Sequence, residues 1–169
     1  CLYANTTADN NTAVGFDALE DNTTGYMCTA VGSLALDANT TGAFNTGLGV
    51  NALGKCTTGS NNTAIGEASS PDITTGGDNT SCGVGALDDL TTGSDNTAIG
   101  RAAGAGCTTG SNNTFLGHGS GGTGVGNVTT GSNQVCIGDN NVTDAFIKVG
   151  FTTGSDRRDK TDITDFTYG

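Results

Sequence analysis

Two independent glycine landmarks keep one 17-residue register through most of the chain. The first closes a motif of the Asn-Thr-Ala-Val/Ile-Gly type and falls at Gly15, Gly32, Gly49, Gly66, Gly83, Gly100 and Gly117. The second ends Thr-Thr-Gly and falls at Gly25, Gly42, Gly59, Gly76, Gly93 and Gly110. An insertion around residues 119–126 then delays the next pair to Gly131 and Gly138. Self-similarity at a fixed short period is the signature of stacked repeat units, each too small to bury its own apolar face and dependent on its neighbours for a core.

Within one unit the order is Asn11-Thr12-Ala13-Val14-Gly15, then Phe16-Asp17-Ala18-Leu19, then Asn22-Thr23-Thr24-Gly25. Two glycines per unit, abundant Thr and Asn, and very short apolar runs disfavour helix and fit brief strands joined by Gly/Asn/Asp turns. The reading is therefore all-β, a parallel β-roll or β-solenoid with 17-residue coils. Equivalent residues of successive coils should lie one strand spacing apart, about 4.8 Å. Thr12, Thr29, Thr46, Thr63, Thr80, Thr97 and Thr114 then form one column, and Asn11, Asn45, Asn62, Asn79, Asn96 and Asn113 another, interrupted by Cys28. The expected core is the aliphatic before each motif glycine (Val14, Val31, Leu48, Ile65, Cys82, Ile99, Leu116, Ile137) with the pairs Ala18-Leu19, Ala35-Leu36, Ala52-Leu53 and Ala86-Leu87. Residues 1–10 read as a lead-in, 11–138 as the repeats, a rod of roughly 40 Å by strand spacing, 139–154 as a terminal strand segment and 155–169 as a truncated tail.

Leu, Ile, Val and Phe number only 30 of 169 residues, beside 29 Gly and no Trp. That supply is thin for one chain, and the remedy must lie in the repeat pattern or in assembly between chains. A net charge of -11 opposes binding to nucleic acid or to anionic membrane. No apolar run approaches the ~20 residues of a membrane helix, so membrane insertion is not expected. The first residues resemble no signal peptide.

The units Asn62-Thr63-Ala64-Ile65-Gly66 and Asn96-Thr97-Ala98-Ile99-Gly100 resemble the head repeats of trimeric autotransporter adhesins, and still more the related repeats of phage tail fibres. That resemblance covers residues 11 to about 138. It implies a left-handed coil and a homotrimer in which three chains pack apolar faces around one axis. Adhesin heads usually use shorter repeats, so the implied coil shape carries over only in outline.

Ser155-Asp156-Arg157-Arg158-Asp159-Lys160 lies outside the repeat and resembles the start of endosialidase-type intramolecular chaperone domains, found at the C-termini of phage tail spikes and fibres. The resemblance implies Ser155 as nucleophile, Lys160 as its activating base and Gly154–Ser155 as a self-cleaved bond. A lysine serves as base only with a depressed pKa, which Asp156 and Asp159 oppose, and only the first 15 residues of such a domain follow the bond. Self-cleavage is therefore expected only with the complete chaperone domain, and the chain is otherwise not expected to be an enzyme.

Other signals read as scaffold. Cys1, Cys28, Cys56, Cys82, Cys107 and Cys136 lack metal-ligand spacing. They read as buried small-residue substitutes, with interchain disulfides near a trimer axis as the alternative. His118, without a neighbouring Cys or carboxylate in sequence, reads as a loop residue. Asp17, Asp21, Asp37, Asp72, Asp88 and Asp89 read as solubilising turns over a calcium site. Threonine columns also suit ice-binding solenoids, but the family resemblance favours scaffold. Sequons at Asn22, Asn39, Asn61, Asn79 and Asn112 fall out of the repeat. No aromatic sugar platform stands out. No cofactor or metal is expected. The expected function is a structural segment of a virion tail fibre or spike supporting attachment to a host glycan or protein receptor. The alternative is a cell-surface trimeric adhesin or extracellular filament subunit.

Overall fold

A computed structural model of the chain describes residues 1–122 and 128–143. Its regular elements are eight three-residue strands: β1 (Thr12–Val14), β2 (Thr29–Val31), β3 (Thr46–Leu48), β4 (Thr63–Ile65), β5 (Thr80–Cys82), β6 (Thr97–Ile99), β7 (Thr114–Leu116) and β8 (Val135–Ile137). They form one parallel sheet in chain order, so the chain is a β-solenoid that adds one strand per coil. Among the described residues there is no helix. The threonine column is in register throughout, Thr12 beside Thr29 and so on to Thr97 beside Thr114.

The strands are short because the coil must turn sharply to return to the same place after 17 residues. Besides the motif glycine, three positions per coil hold a positive φ. One carries Asn10, Met27, Phe44, Asn61, Asp78, Asp95, Asn112 and Asn133 (φ 55 to 63°). The second begins at Asp17 and Leu34, and the third carries Leu19, Leu36, Leu53 and Leu87 (φ 52 to 55°). A left-handed backbone costs an ordinary residue ~1–2 kcal/mol. At the leucines, full burial (all 0% exposed) returns ~1.5–3 kcal/mol, enough to hold the corner.

Backbone hydrogen bonds run along the rod on every side of the coil and not only in the sheet. Thr63 N–H donates to Asn79 O at 2.8 Å, Leu53 N–H to Ser69 O at 3.1 Å, and Thr57 N–H to Thr74 O at 3.0 Å. This axial pairing explains both glycine landmarks. A Cβ on Gly49 would stand 2.3 Å from the carbonyl oxygen of Gly66, and one on Gly42 would stand 2.2 Å from that of Gly59. In the second series φ is not the cause. The next coil is simply too close.

Burial alternates with period two along Asn62-Thr63-Ala64-Ile65, in, out, in, out. This corrects the expected core. The Ala-Leu pairs are buried, but the third inward position is the middle of each strand, Ala30, Ala64, Ser81, Ala98 and Phe115. The aliphatics before the motif glycine face outward. A strand beginning inward at Asn must send its next inward side chain to the Ala, so the aliphatic two places before the turn falls on the opposite face.

Two coils break the core pattern and repair themselves locally. Ser69, Ser70 and Ser81 replace apolar residues together, and their hydroxyls pair at 2.7 Å (Ser69 with Ser81) and 2.8 Å (Ser70 to Ser81). Phe115 fills the space left where the leucine position becomes Gly104 and Gly121; a Cβ on either would stand 2.6 or 2.3 Å from its ring. Between β7 and β8 the stacking offset grows to 21 residues. The extra residues enter between Gly121, still at the leucine position, and Val128, which restores the core.

Gly49→Ala and Gly85→Ala form a matched pair for the spacing argument. Both glycines have positive φ, but nothing lies within 4 Å of a Cβ on Gly85. Gly85→Ala should cost about 1 kcal/mol, the left-handed penalty alone. Gly49→Ala should cost about 4 kcal/mol or more because two coils must separate, as read by chemical denaturation.

Candidate functional site: the ladders and the outward sheet face

Inside the coil the asparagine column is a hydrogen-bonded spine. The Nδ2 of Asn45, Asn62, Asn79, Asn96 and Asn113 donates to the carbonyls of Gly59, Gly76, Gly93, Gly110 and Gly131 at 2.7–2.9 Å. Each Oδ1 accepts from the backbone N–H one coil on, Asn62 to Asn45 at 2.9 Å and Asn96 to Asn79 at 3.0 Å. The Thr-Thr-Gly landmark thus serves the Asn landmark: its glycine carbonyl is the acceptor for the asparagine side chain that begins the strand of the same coil, 14 residues earlier. Where Cys28 interrupts the column, its thiol takes over, with Sγ 3.4 Å from Gly42 O.

A second buried column reads Asn22, Asn39, Cys56, Ile73, Leu90, Cys107 and Val128. Asn39 donates to Asn22 Oδ1 at 2.8 Å, but its own Oδ1 has no partner among the described residues, because the next position is Cys56. Burial of the sequon residues Asn22, Asn39 and Asn79 removes them as glycan acceptors in the folded chain, whereas Asn61 and Asn112 are exposed.

Cys1, Cys28, Cys56, Cys82 and Cys107 form no disulfide among the described residues. Cys28, Cys56 and Cys107 are buried, as expected, and Cys136 is intermediate. Cys1 and Cys82 correct the expectation, being exposed. Cys82 is exposed because the aliphatic column it occupies faces outward. Burial drives the Cys56 thiol up to about 12, the neighbouring Cys28 adding to the effect, and burial likewise raises Cys28 and Cys107.

His118 follows β7 and does have a carboxylate partner, one that its sequence neighbours did not suggest. Arg101 Nη1 lies 3.1 Å from His118 Nε2, and His118 Nδ1 lies 3.4 Å from Asp139 Oδ2. Arginine can only donate, so Nε2 accepts and Nδ1 carries the proton toward Asp139. The Asp139 carboxyl is held below the usual range chiefly by the Asn141 backbone N–H and side-chain amide, then by His118. Asp37 and Asp88 are shifted the other way, first by burial and then by neighbouring aspartates. Among the described residues no three His, Cys, Asp or Glu side chains gather as a metal site. Ser155 and Lys160 lie outside the described residues.

The surface feature that runs the length of the rod is the outward face of the sheet. Its aliphatic column presents Val14, Val31, Ile65, Ile99, Leu116 and Ile137, from 38 to 69% exposed, with Leu48 and Cys82 between them. The parallel threonine column carries no charge, and neither does the aliphatic one. Beside them Phe16, Val50 and Val84 add exposed apolar surface. The aliphatic column is continuous from coil to coil and not a scatter of single exposed residues, while the flanking column also carries the exposed Glu67 and Arg101.

No family model, curated protein or solved structure matches this chain.

Alkylation read residue by residue by mass spectrometry should separate the thiols. Cys1 should react in the native chain at neutral pH, and Cys82 should react there only when no second chain covers the outward sheet face. Cys56 should react only after denaturation, being both inaccessible and protonated.

Proposed function

We propose that the chain is a structural segment of a fibre of the virion tail-fibre or spike class, assembled as a homotrimer and carrying or supporting attachment to a host surface. The observation that supports this reading best is the uncharged aliphatic and threonine face that every coil repeats. Three copies packed by that face would bury the aliphatic column and supply the core that 30 large aliphatic and Phe residues cannot fully supply to one chain. The fibre class is supported by the resemblance of the repeats and of the Ser155-to-Lys160 stretch. On this reading the chain performs no turnover. At most it makes a single cut at Gly154–Ser155, with Ser155 attacking and Lys160 accepting its proton, when a complete chaperone domain follows.

Light scattering under reducing conditions tests the assembly. The expected mass is that of three chains of 16.6 kDa each, and Ile65→Asp with Ile99→Asp should shift it to that of one chain, because carboxylates would be buried unpaired. A monomeric parent chain would contradict the shared core. Expression with the natural C-terminal extension tests the junction, since a released fragment that persists in Ser155→Ala would remove Ser155 from the chemistry.

A further inference from the structure

One corner of the coil breaks the pattern in a way that neither the core nor the sheet face explains. The exposed positive-φ column that carries Asn10, Asn61, Asp78, Asp95, Asn112 and Asn133 carries Met27 and Phe44 in two successive coils. Asn and Asp tolerate that backbone; a thioether chain and an aromatic ring do not, and a bulky residue there is a conformational outlier. Neither is repaid by burial, Met27 being 49% and Phe44 47% exposed. Tyr26, 44% exposed, stands where other coils carry Ser60, Gly77, Ser94 and Ser111. Its ring meets that of Phe44 edge to face, with centroids 5.1 Å apart and planes at 71°. An edge-to-face pair covers at most one of its four ring faces, and one such contact does not offset the strain at two residues.

Strain together with exposed apolar surface, and no return inside the chain, marks a site kept for a ligand. The column excludes a second copy of the chain as the occupant. In later coils it carries Asp78 and Asp95, both exposed, and a face shared along the rod would bury those carboxylates. The chemistry at the corner is that of an amphipathic ring. Flat aromatic faces and a polarizable sulfur lie between the exposed amides of Asn10, one coil below Met27, and Asn61, one coil above Phe44. A pyranose has the complementary form, with C–H groups on one face and hydroxyls at the rim. The exposed Asp9 below and the chain's charge of -11 select against an anionic sugar.

We propose that Tyr26, Met27 and Phe44 form a stacking subsite for a neutral pyranose of a surface glycan, with Asn10 and Asn61 as its hydrogen-bonding flank. The inference rests on the reading of the chain as a host-facing fibre and names the ligand class on that surface.

Saturation-transfer NMR of the full chain against the methyl glycosides of glucose, galactose and N-acetylglucosamine provides the test. At least one glycoside should bind near about 1 mM, with saturation entering through its ring C–H protons. Tyr26→Ser with Phe44→Asn, which restores the residues of other coils, should weaken binding by at least about tenfold while leaving thermal stability equal or higher. Met27→Asn alone should weaken it less. No binding of any of the three at tens of millimolar, or binding that survives the double variant, overturns the subsite. So does a change in oligomeric mass in that variant, which would make the corner a chain-to-chain contact. A trimer that binds no neutral sugar leaves the fibre reading standing, and a monomer that binds one leaves only the subsite.

Discussion

The distance between two coils is fixed by the backbone hydrogen bonds that join them, and nearly every other feature of the rod follows from it. At a strand spacing of about 4.8 Å, a side chain directed along the axis has no room, so both landmark positions are reduced to glycine. The same spacing lets one asparagine bridge two coils. Its Nδ2 reaches a glycine carbonyl and its Oδ1 receives the next coil's N–H at 2.9–3.1 Å. Buried amides are costly when unpaired and favourable when fully paired. The column is therefore tied to the period: a coil one residue longer would misplace the donor and the acceptor together.

The periodicity exposes the architecture in the sequence because every coil is under the same restraint. Parallel pairing, threonine register and the burial of the Ala-Leu pair all follow from the spacing of Gly32, Gly49 and Gly66. What the sequence conceals is direction. Ala64 and Ile65 are adjacent, the larger is the more hydrophobic, and composition points to Ile65 as core. The inward position of Asn62 decides otherwise, and that is not visible until the glycine carbonyl it serves is in place. The Tyr26–Phe44 corner is hidden for a related reason. The two residues are 18 apart in sequence, and neither stands out until the backbone shows that they share a corner where other coils carry Ser or Gly beside Asn or Asp. His118 and Asp139 are separated by the insertion, so their pairing depends on the 21-residue offset of the last coil.

Because each coil touches only its neighbours, stability in such a rod is close to a sum of local terms, and the sequence is free to vary by local compensation. The serines at 69, 70 and 81 are tolerable only as a group, since each hydroxyl is partnered by another. Phe115 is tolerable only beside Gly104 and Gly121. Asn39 shows a compensation left incomplete, its Oδ1 facing Cys56 where an amide would have closed the bond. These departures sit inside the coil and leave the outward threonine and aliphatic columns unbroken but for Cys82 and Val135.

Charge placement supports the same division of labour. The acidic residues gather in the turns that follow the apolar pair and in the Asp78–Asp95 column, whereas the two columns of the sheet face have none from β1 to β8. Rods of net charge -11 repel one another at long range, so close parallel association requires a face free of carboxylates and enough apolar area to offset the repulsion. Screening within about 10 Å at ordinary salt weakens repulsion between the outer turns while leaving short-range apolar contact intact. A chain that keeps one face uncharged over eight strands, yet accepts an unpaired amide and serine clusters within, is constrained more tightly on its outer face than in its core. That is the distribution that the proposed packing of chains by this face would require.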